Sequence, residues 1–305
     1  MTDRHRSNPH HSLETMNSIA KTCFKASRSS ITSSEFLDTA PRGAYTTART
    51  VKGTNHVFQL KRHLDRLVNS STPFLKDNKV SERDLKKMCL LTMDQALENY
   101  KDLLLEQDCK LTVVVAPVED KEKQECDMNI EILAHVEKLK SKGLGKPVYV
   151  AMGGKPRENA RIKDSKWVHD RKAIVDQIAE DTLLLGKDDT VILEGAQTNF
   201  FAVLPNGILQ TAGEGVLEGT VRAIVLEACR DLKIPVSFEP PKVSEIEQFS
   251  EAFLASTSRL VLPIDILGAR NMPPDRLITD KIQSWVKKHV EDHSTSVKSL
   301  MDEVF

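Results

Sequence analysis

The segment Val191–Phe201, VILEGAQTNFF, sets an acid, Glu194, between Leu193 and Gly195 at the end of a β-rich run. An acid so placed points into a partly buried space, where a carboxylate is costly unless it meets a cation or a strong donor. Taken alone, it reads equally as an acidic residue in an exposed hairpin turn. Its company changes the reading. Upstream, ARIKDSKWVHDRK (Ala160–Lys172) offers Lys163 beside Ile162, a setting that suits a partly desolvated amine of lowered pKa. Downstream, in VLEGTVRAIVLEAC, Gly219 leads Thr220 and Val221 into a helix, whose first N–H groups and dipole suit an anion. Nearer the N-terminus, His63 and Arg66 stand one helical turn apart and share a face. The plain alternative for that pair is a solvated basic face. Lys166 and Lys172 compete with Lys163 as the amine, but both fall on the exposed face of the helix that follows.

These residues need elements to hold them. Gly43–Val51 reads as a strand and Lys52–Gly53 as its turn, with a short return strand at His56–Gln59. Leu60, Leu64 and Leu67 repeat at helical spacing, and Pro73 stops that helix. Ser81 is an N-cap for a helix reaching about Leu105. Leu111–Val118 and Asn129–Val136 read as strands around the charged run EDKEKQECD, and Val148–Met152 closes the first half. The Gly153-Gly154-Lys155-Pro156 run predicts the domain boundary. Beyond it the pattern predicts a helix over Lys166–Thr182, then strands at Thr190–Leu193, Phe200–Leu204 and Ile208–Thr211, with Asn206–Gly207 as a hairpin turn. A helix at Glu218–Leu232, strands at Val236–Glu239, Glu251–Ala255 and Val261–Leu267, and a last helix from about Asp275 to His289 complete the chain. The organisation expected is a disordered leader over residues 1–35, a small N-terminal domain over 36–152 and a larger C-terminal domain over 153–305.

Bulk composition excludes several classes of function. The chain has 305 residues, 40% hydrophobic and 29% charged, with a formal net charge of −1. That is ordinary for a soluble globular protein and lacks the basic excess of a general nucleic-acid surface. No apolar run approaches the roughly 20 residues that span a bilayer. Five widely spaced cysteines (Cys23, Cys89, Cys109, Cys126, Cys229) form neither a CxxC pair nor a zinc-spaced cluster with histidine, which points to a reducing compartment, the cytoplasm. The stretch Met16–Ser34 carries basic and hydroxyl residues and no acid, the composition of an organelle transit peptide, although an unstructured leader is the expectation.

IKDSKWV, LEGAQTNFF, VLEGTVRAIV and FLASTSRLVLPI follow one another in the order and spacing of the class IV, fold-type IV pyridoxal phosphate enzymes, and HLDRL matches their N-terminal HxxRL element. The chain resembles that family over roughly residues 43–268. The family includes branched-chain aminotransferases, D-amino-acid aminotransferases and aminodeoxychorismate lyases. The resemblance implies an α/β (α+β) fold of two domains, with pyridoxal 5′-phosphate held between them. It implies Lys163 as the Schiff-base lysine and catalytic base, and Glu194 as the partner of the ring nitrogen. Arg66, Gly219, Thr220, Val221, Ser256 and Thr257 would hold the phosphate.

The resemblance further implies transfer of an amino group between an amino acid and a 2-oxo acid in a homodimer, and the composition adds the expectation that neither nucleic acid nor membrane is a partner. A lyase of the aminodeoxychorismate type and a cofactor-binding homologue without turnover are the alternatives. A set of substrate-side cations would separate transferase from lyase, and Arg49 is the candidate the sequence offers. Two stretches depart from the family pattern. A YGDGVFE-like segment is replaced by Pro41–Thr46, in which Thr46 stands for the acid while Tyr45 keeps an aromatic able to line a substrate pocket. A KTTNYLP-like segment has become KDSKWVHDRK, which changes the surroundings of Lys163.

Overall fold

The computed structural model describes residues 24–27, 31–76, 78, 80–118, 130–139 and 147–305. The charged run between the two long N-terminal strands lies outside these residues, as does most of the leader. Strand Ala44–Arg49 pairs antiparallel with Cys109–Pro117, which pairs antiparallel with Ile130–Lys138. Short strand Phe24–Ser27 adds a parallel edge to Ile130–Lys138, and helix Ser33–Thr39 begins two residues before the expected end of the leader. That helix starts where it does because of a reciprocal cap. The Thr32 hydroxyl accepts from the Glu35 N–H and the Glu35 carboxylate from the Thr32 N–H.

Helices Leu60–Ser71 and Glu82–Asn99 cover one face of this sheet, with Leu64, Leu67, Met88, Leu90 and Met93 packed against Leu111, Val113 and Ile132. Ser81 caps the second helix, its hydroxyl accepting from the Asp84 N–H at 3.1 Å. A break at Tyr100 separates this helix from Lys101–Glu106, where the sequence predicts one continuous helix.

A ten-stranded mixed sheet forms the second unit. Two features cross the expected domain boundaries. Strand Tyr149–Gly154, most of which the sequence reading assigns to the N-terminal domain, pairs with Asp181–Leu185 and Ile266–Leu267 in this second sheet. At the other end, strand Ser294–Ser296 pairs with His56–Phe58, and helix Val297–Val304 buries Val297 and Leu300 in the N-terminal core. The last dozen residues thus return to the first unit, because an amphipathic C-terminal helix finds its apolar partner there. Helices Thr220–Asp231 and Leu277–Lys288 pack side by side against strands Glu251–Ser256 and Leu260–Pro263. The helix predicted over Lys166–Thr182 shrinks to Lys166–Asp170 and a 3₁₀ turn at Arg171–Ala173 before the chain enters strand Asp181–Leu185. No helix among the described residues is long and apolar enough to cross a membrane.

Candidate active site

The segment bearing Lys163 is stitched to the edge of the N-terminal sheet. The Tyr45 N–H donates to the Lys163 carbonyl and the Ser165 N–H to the Gly43 carbonyl, both at 2.9 Å, while the Gly43 N–H donates to the Ser165 hydroxyl at 3.1 Å. Gly43 is required by this close approach, since a Cβ there would stand 2.1 Å from the Val115 carbonyl oxygen. The Lys163 N–H donates to the Ser70 hydroxyl, which adds a tie to helix Leu60–Ser71. The lysine is thereby fixed between the two units, with its ammonium 4.6 Å from the centre of the buried Tyr45 ring.

Lys163 lines a cavity of about 500 Å³ together with Tyr45, Arg66 and Glu194, within the usual range for small-molecule sites. Gly219, Thr220, Val221, Ser256 and Thr257 line the same cavity. Arg49 does not. Its guanidinium turns to Asp108, 3.2 Å away, and its cross-strand neighbour Lys110 reaches the wall in its place, paired with Glu137 at 2.5 Å.

Glu194 is 3% exposed, and both its oxygens are engaged. Oε1 accepts from Nε (2.9 Å) and Nη2 (2.6 Å) of Arg157; Oε2 accepts from the Leu217 N–H (3.0 Å) and, weakly, from the Asn199 amide (3.4 Å). Burial pushes this carboxyl above its ordinary range, against the pull of Arg157 and the Leu217 N–H. Asn199 also donates to the Leu217 carbonyl, which fixes the turn that leads into helix Thr220–Asp231. A side chain at Gly219 would put its Cβ 2.0 Å from the Asn199 oxygen, so only glycine lets the helix start sit this close to Asn199.

That helix start has no side-chain cap, and its first N–H groups have no partner within the helix. Beside it, Arg66 donates from Nη2 to the Thr46 hydroxyl (3.1 Å) and from Nη1 to the Glu218 carbonyl (3.3 Å), while its Nε is buried without a partner. Burial lowers the Arg66 pKa to about 10, so it stays a cation at neutral pH. His63 is fully buried and bridges the units. Its Nδ1 lies 2.8 Å from the Thr46 hydroxyl and 3.3 Å from Arg66 Nη2, its Nε2 3.2 Å from the Thr220 hydroxyl. Arginine can only donate, so Nδ1 accepts and the proton sits on Nε2, facing Thr220. Burial and the Arg66 charge hold His63 well below its usual pKa, which keeps it neutral. Thr220, accepting from His63, is left with its own hydroxyl proton free to donate.

Burial likewise pulls the Lys163 amine down to about 8, with Tyr45 opposing and Arg66, Arg157 and Arg171 assisting. Burial alone would raise the Tyr45 phenol, but Lys163, Arg171 and Arg157 outweigh it and the net shift is downward. The donor set fits a phosphorylated carbonyl compound. A buried guanidinium nitrogen without a partner and an uncapped helix start could meet an anion, a part-neutral amine a carbonyl, and a fixed carboxylate a cationic ring nitrogen. No group of three or more potential metal ligands occurs among the described residues.

Sequence reasoning missed Arg157, which directly follows the Gly153–Pro156 run read as a domain turn. It also missed Trp167, whose indole donates to the Ala196 carbonyl at 2.7 Å while its ring lies 5.4 Å under the Arg157 guanidinium. Thr46, noted only as a lost acid, is the hydroxyl that joins Arg66 to His63.

The model of the amino-transferase class IV family matches residues 43–267. A probable branched-chain-amino-acid aminotransferase of Rickettsia conorii is 28% identical over 116 residues, which are 37% of this chain and 40% of that protein. The matched stretch therefore spans about two fifths of the length of that relative. Among solved structures, a putative branched-chain amino acid aminotransferase from Thermotoga maritima aligns over 83% of this chain and 86% of its own, with 23% identity and a TM-score of 0.62. The branched-chain aminotransferase of Thermoproteus uzoniensis, solved with norvaline, covers 88% and 95% at 16% identity, with a TM-score of 0.68. A hypothetical aminotransferase from Mycobacterium tuberculosis, in its PLP-bound form, covers 82% and 89% at 18% identity and a TM-score of 0.65. At these identities the structural likeness establishes the fold.

Proposed function

The chain belongs to the class IV aminotransferase family, and from that premise we propose that it is a pyridoxal-phosphate-dependent aminotransferase, moving an amino group between an amino acid and a 2-oxo acid. The observation that carries this reading is the convergence on one cavity of the Lys163 amine, the Glu194 carboxylate, and Arg66 beside an uncapped helix start. Bound there, pyridoxal phosphate supplies an electron-withdrawing ring and a carbonyl carbon able to carry an amino group from donor to acceptor.

In this reading Arg66 and the N–H groups of Thr220 and Val221 hold the phosphate, Arg66 with its unpartnered Nε among the donors. Thr220 adds the hydroxyl proton that His63 leaves free, and Ser256 and Thr257, which line the same cavity, offer two more hydroxyls to the phosphate. Glu194 faces the ring nitrogen and favours its protonated form. Its 3.4 Å contact to Asn199 is the weakest of its four and the one that yields. Arg157 holds the acid in place and favours its ionised state. Lys163, with a pKa of about 8, accepts and returns a proton at Nζ near neutral pH.

The names of the Rickettsia and Thermotoga relatives point to branched-chain amino acids as donors. Leu37, Trp167 and Val175 on the wall give such a side chain apolar surface to meet. We also propose that the enzyme works as a two-fold homodimer, the commonest closed oligomer, and that it resides in the cytoplasm. Cys89, Cys109 and Cys229 are buried free thiols, consistent with a reducing compartment. The test is to incubate the cofactor-loaded protein with L- and D-amino acids and follow its visible absorption band. A shift with a subset of amino acids, reversed by a 2-oxo acid, supports the assignment; a colourless protein that takes up no added pyridoxal phosphate defeats it.

A further inference from the structure

Charge bookkeeping around the cavity leaves one cation unused. Three of the cations on its wall are already answered by acids: Arg157 by Glu194, Lys110 by Glu137 and Arg259 by Glu180. Arg66 meets the phosphate in the reading above, and Lys163 does the chemistry. Lys138 is exposed to water at the rim. Arg171 remains: it lines the cavity, it is half-buried, and its guanidinium has neither a hydrogen bond nor an ion pair among the described residues.

Arg171 is also well fixed. It opens a 3₁₀ turn, its N–H donates to the Trp167 and His169 carbonyls, and its carbonyl accepts the N–H groups of Ile174 and Val175. The turn places it close enough to Lys163 and Tyr45 for its charge to depress the pKa of each. A half-buried cation with no partner, next to two other polar groups, is unfavourable until an anion arrives. A planar guanidinium fork matches a carboxylate with two parallel bonds.

We propose that Arg171 anchors the carboxylate of the substrate, so that the enzyme accepts amino carboxylates and 2-oxo acids and discriminates against amines that lack a carboxylate. The inference rests on the aminotransferase reading and deepens it. Arg171 thus takes the substrate-side position for which the sequence offered Arg49.

Two probes share one carbon skeleton and differ in the anchor: 4-methylpentanoate keeps the carboxylate of leucine without its amino group, and 3-methylbutylamine keeps the amine without the carboxylate. Each is titrated calorimetrically into wild type, Arg171→Gln and Arg171→Lys, in phosphate buffer so that the helix start is filled, on cofactor-loaded and cofactor-free protein. Loss of a charge-assisted bidentate bond predicts a roughly ten- to hundred-fold weaker affinity for the acid in Arg171→Gln, with partial recovery in Arg171→Lys. Affinity for the amine and for pyridoxal phosphate should not change. Equal binding of the acid by wild type and Arg171→Gln overturns the proposal, as does a wild type with no measurable affinity for it. Failure to take up pyridoxal phosphate defeats the aminotransferase reading instead, and the cofactor-free titration still judges Arg171.

Discussion

Replacing Arg157 with glutamine tests how the buried acid is held. Arg157 gives Glu194 two bonds, of 2.9 and 2.6 Å, and its own side chain is 9% exposed. Removing one member of a buried ion pair typically costs 3–5 kcal/mol, because the remaining charge is left uncompensated. Glu194 keeps the Leu217 N–H at 3.0 Å, so the lower end applies, about 3 kcal/mol at neutral pH. The loss depends on pH with a definite sign. Burial already raises the folded-state pKa of Glu194 above its unfolded value, and the loss of Arg157 raises it further. The folded variant therefore binds this proton more tightly than the unfolded chain. The unfolded chains share one Glu194 pKa, so the deficit is smallest near pH 4.5, below both folded-state values, and grows as pH rises from the folded wild-type value toward the higher folded value of the variant.

Urea unfolding of cofactor-free wild type and Arg157→Gln at pH 4.5 and pH 8 measures both the deficit and its slope. The double variant Arg157→Gln, Glu194→Gln removes the stranded charge and should be more stable than Arg157→Gln alone at pH 8. An equal deficit at both pH values, or a double variant no better than the single, would show that Arg157 acts through packing on Trp167 and not through the charge of Glu194.

Further outcomes are expected. Arg66→Ala should weaken pyridoxal phosphate binding roughly ten- to hundred-fold, with Arg66→Lys recovering part, as titration of cofactor-free protein would show; unchanged affinity would limit Arg66 to its bonds with Thr46 and the Glu218 carbonyl. With a pKa of about 8, about one Lys163 amine in ten is neutral at pH 7, against about one in three thousand for an ordinary lysine. Labelling by pyridoxal phosphate and borohydride should therefore fall on the Lys163 peptide at pH 7 and rise through pH 8; random labelling of surface lysines would contradict the burial argument. Light scattering at micromolar concentration should give a dimer, and a fully active monomer would exclude a shared pocket.

The elements that carry the site were legible because each has a local cause. Leu60, Leu64 and Leu67 repeat at the helical period, and the helix runs over Leu60–Ser71 as that repeat requires. Ser81 sits where a capping hydroxyl is needed, and Gly219 where a helix start must come close to another chain segment. The helix expected over Lys166–Thr182 failed for an equally local reason. Asp176 and Gln177 separate its apolar residues Ile174 and Val175 from Ile178, and the Thr182 hydroxyl takes the Asp176 N–H out of any helical ladder. The first sheet's missing strand, Phe24–Ser27, has no period of its own and exists through its parallel pairing with residues more than a hundred positions later.

Charge partners were the least legible part, because the side chains that decide them come from distant segments. Arg49 and Arg157 are both arginines close to a predicted site residue, four after Tyr45 and six before Lys163, and nothing local ranks one above the other. The fold ranks them. Asp108 lies beside the end of strand Ala44–Arg49 and captures Arg49, whereas the strand that ends at Gly195 brings Glu194 within 2.6 Å of Arg157. His63 shows the same dependence from the other side: on its own helix it looks like part of a basic stripe, yet Thr46 and Thr220, 17 and 157 residues away, close over it. Once buried it must stay neutral, and a neutral histidine that accepts on one nitrogen has to donate from the other. The order of hydroxyl protons from Arg66 through Thr46 and His63 to Thr220 is therefore set by a single requirement, that arginine cannot accept. That chain crosses from the first unit to the second and ends on a hydroxyl at the anion site, so the two units must be docked before the site is complete.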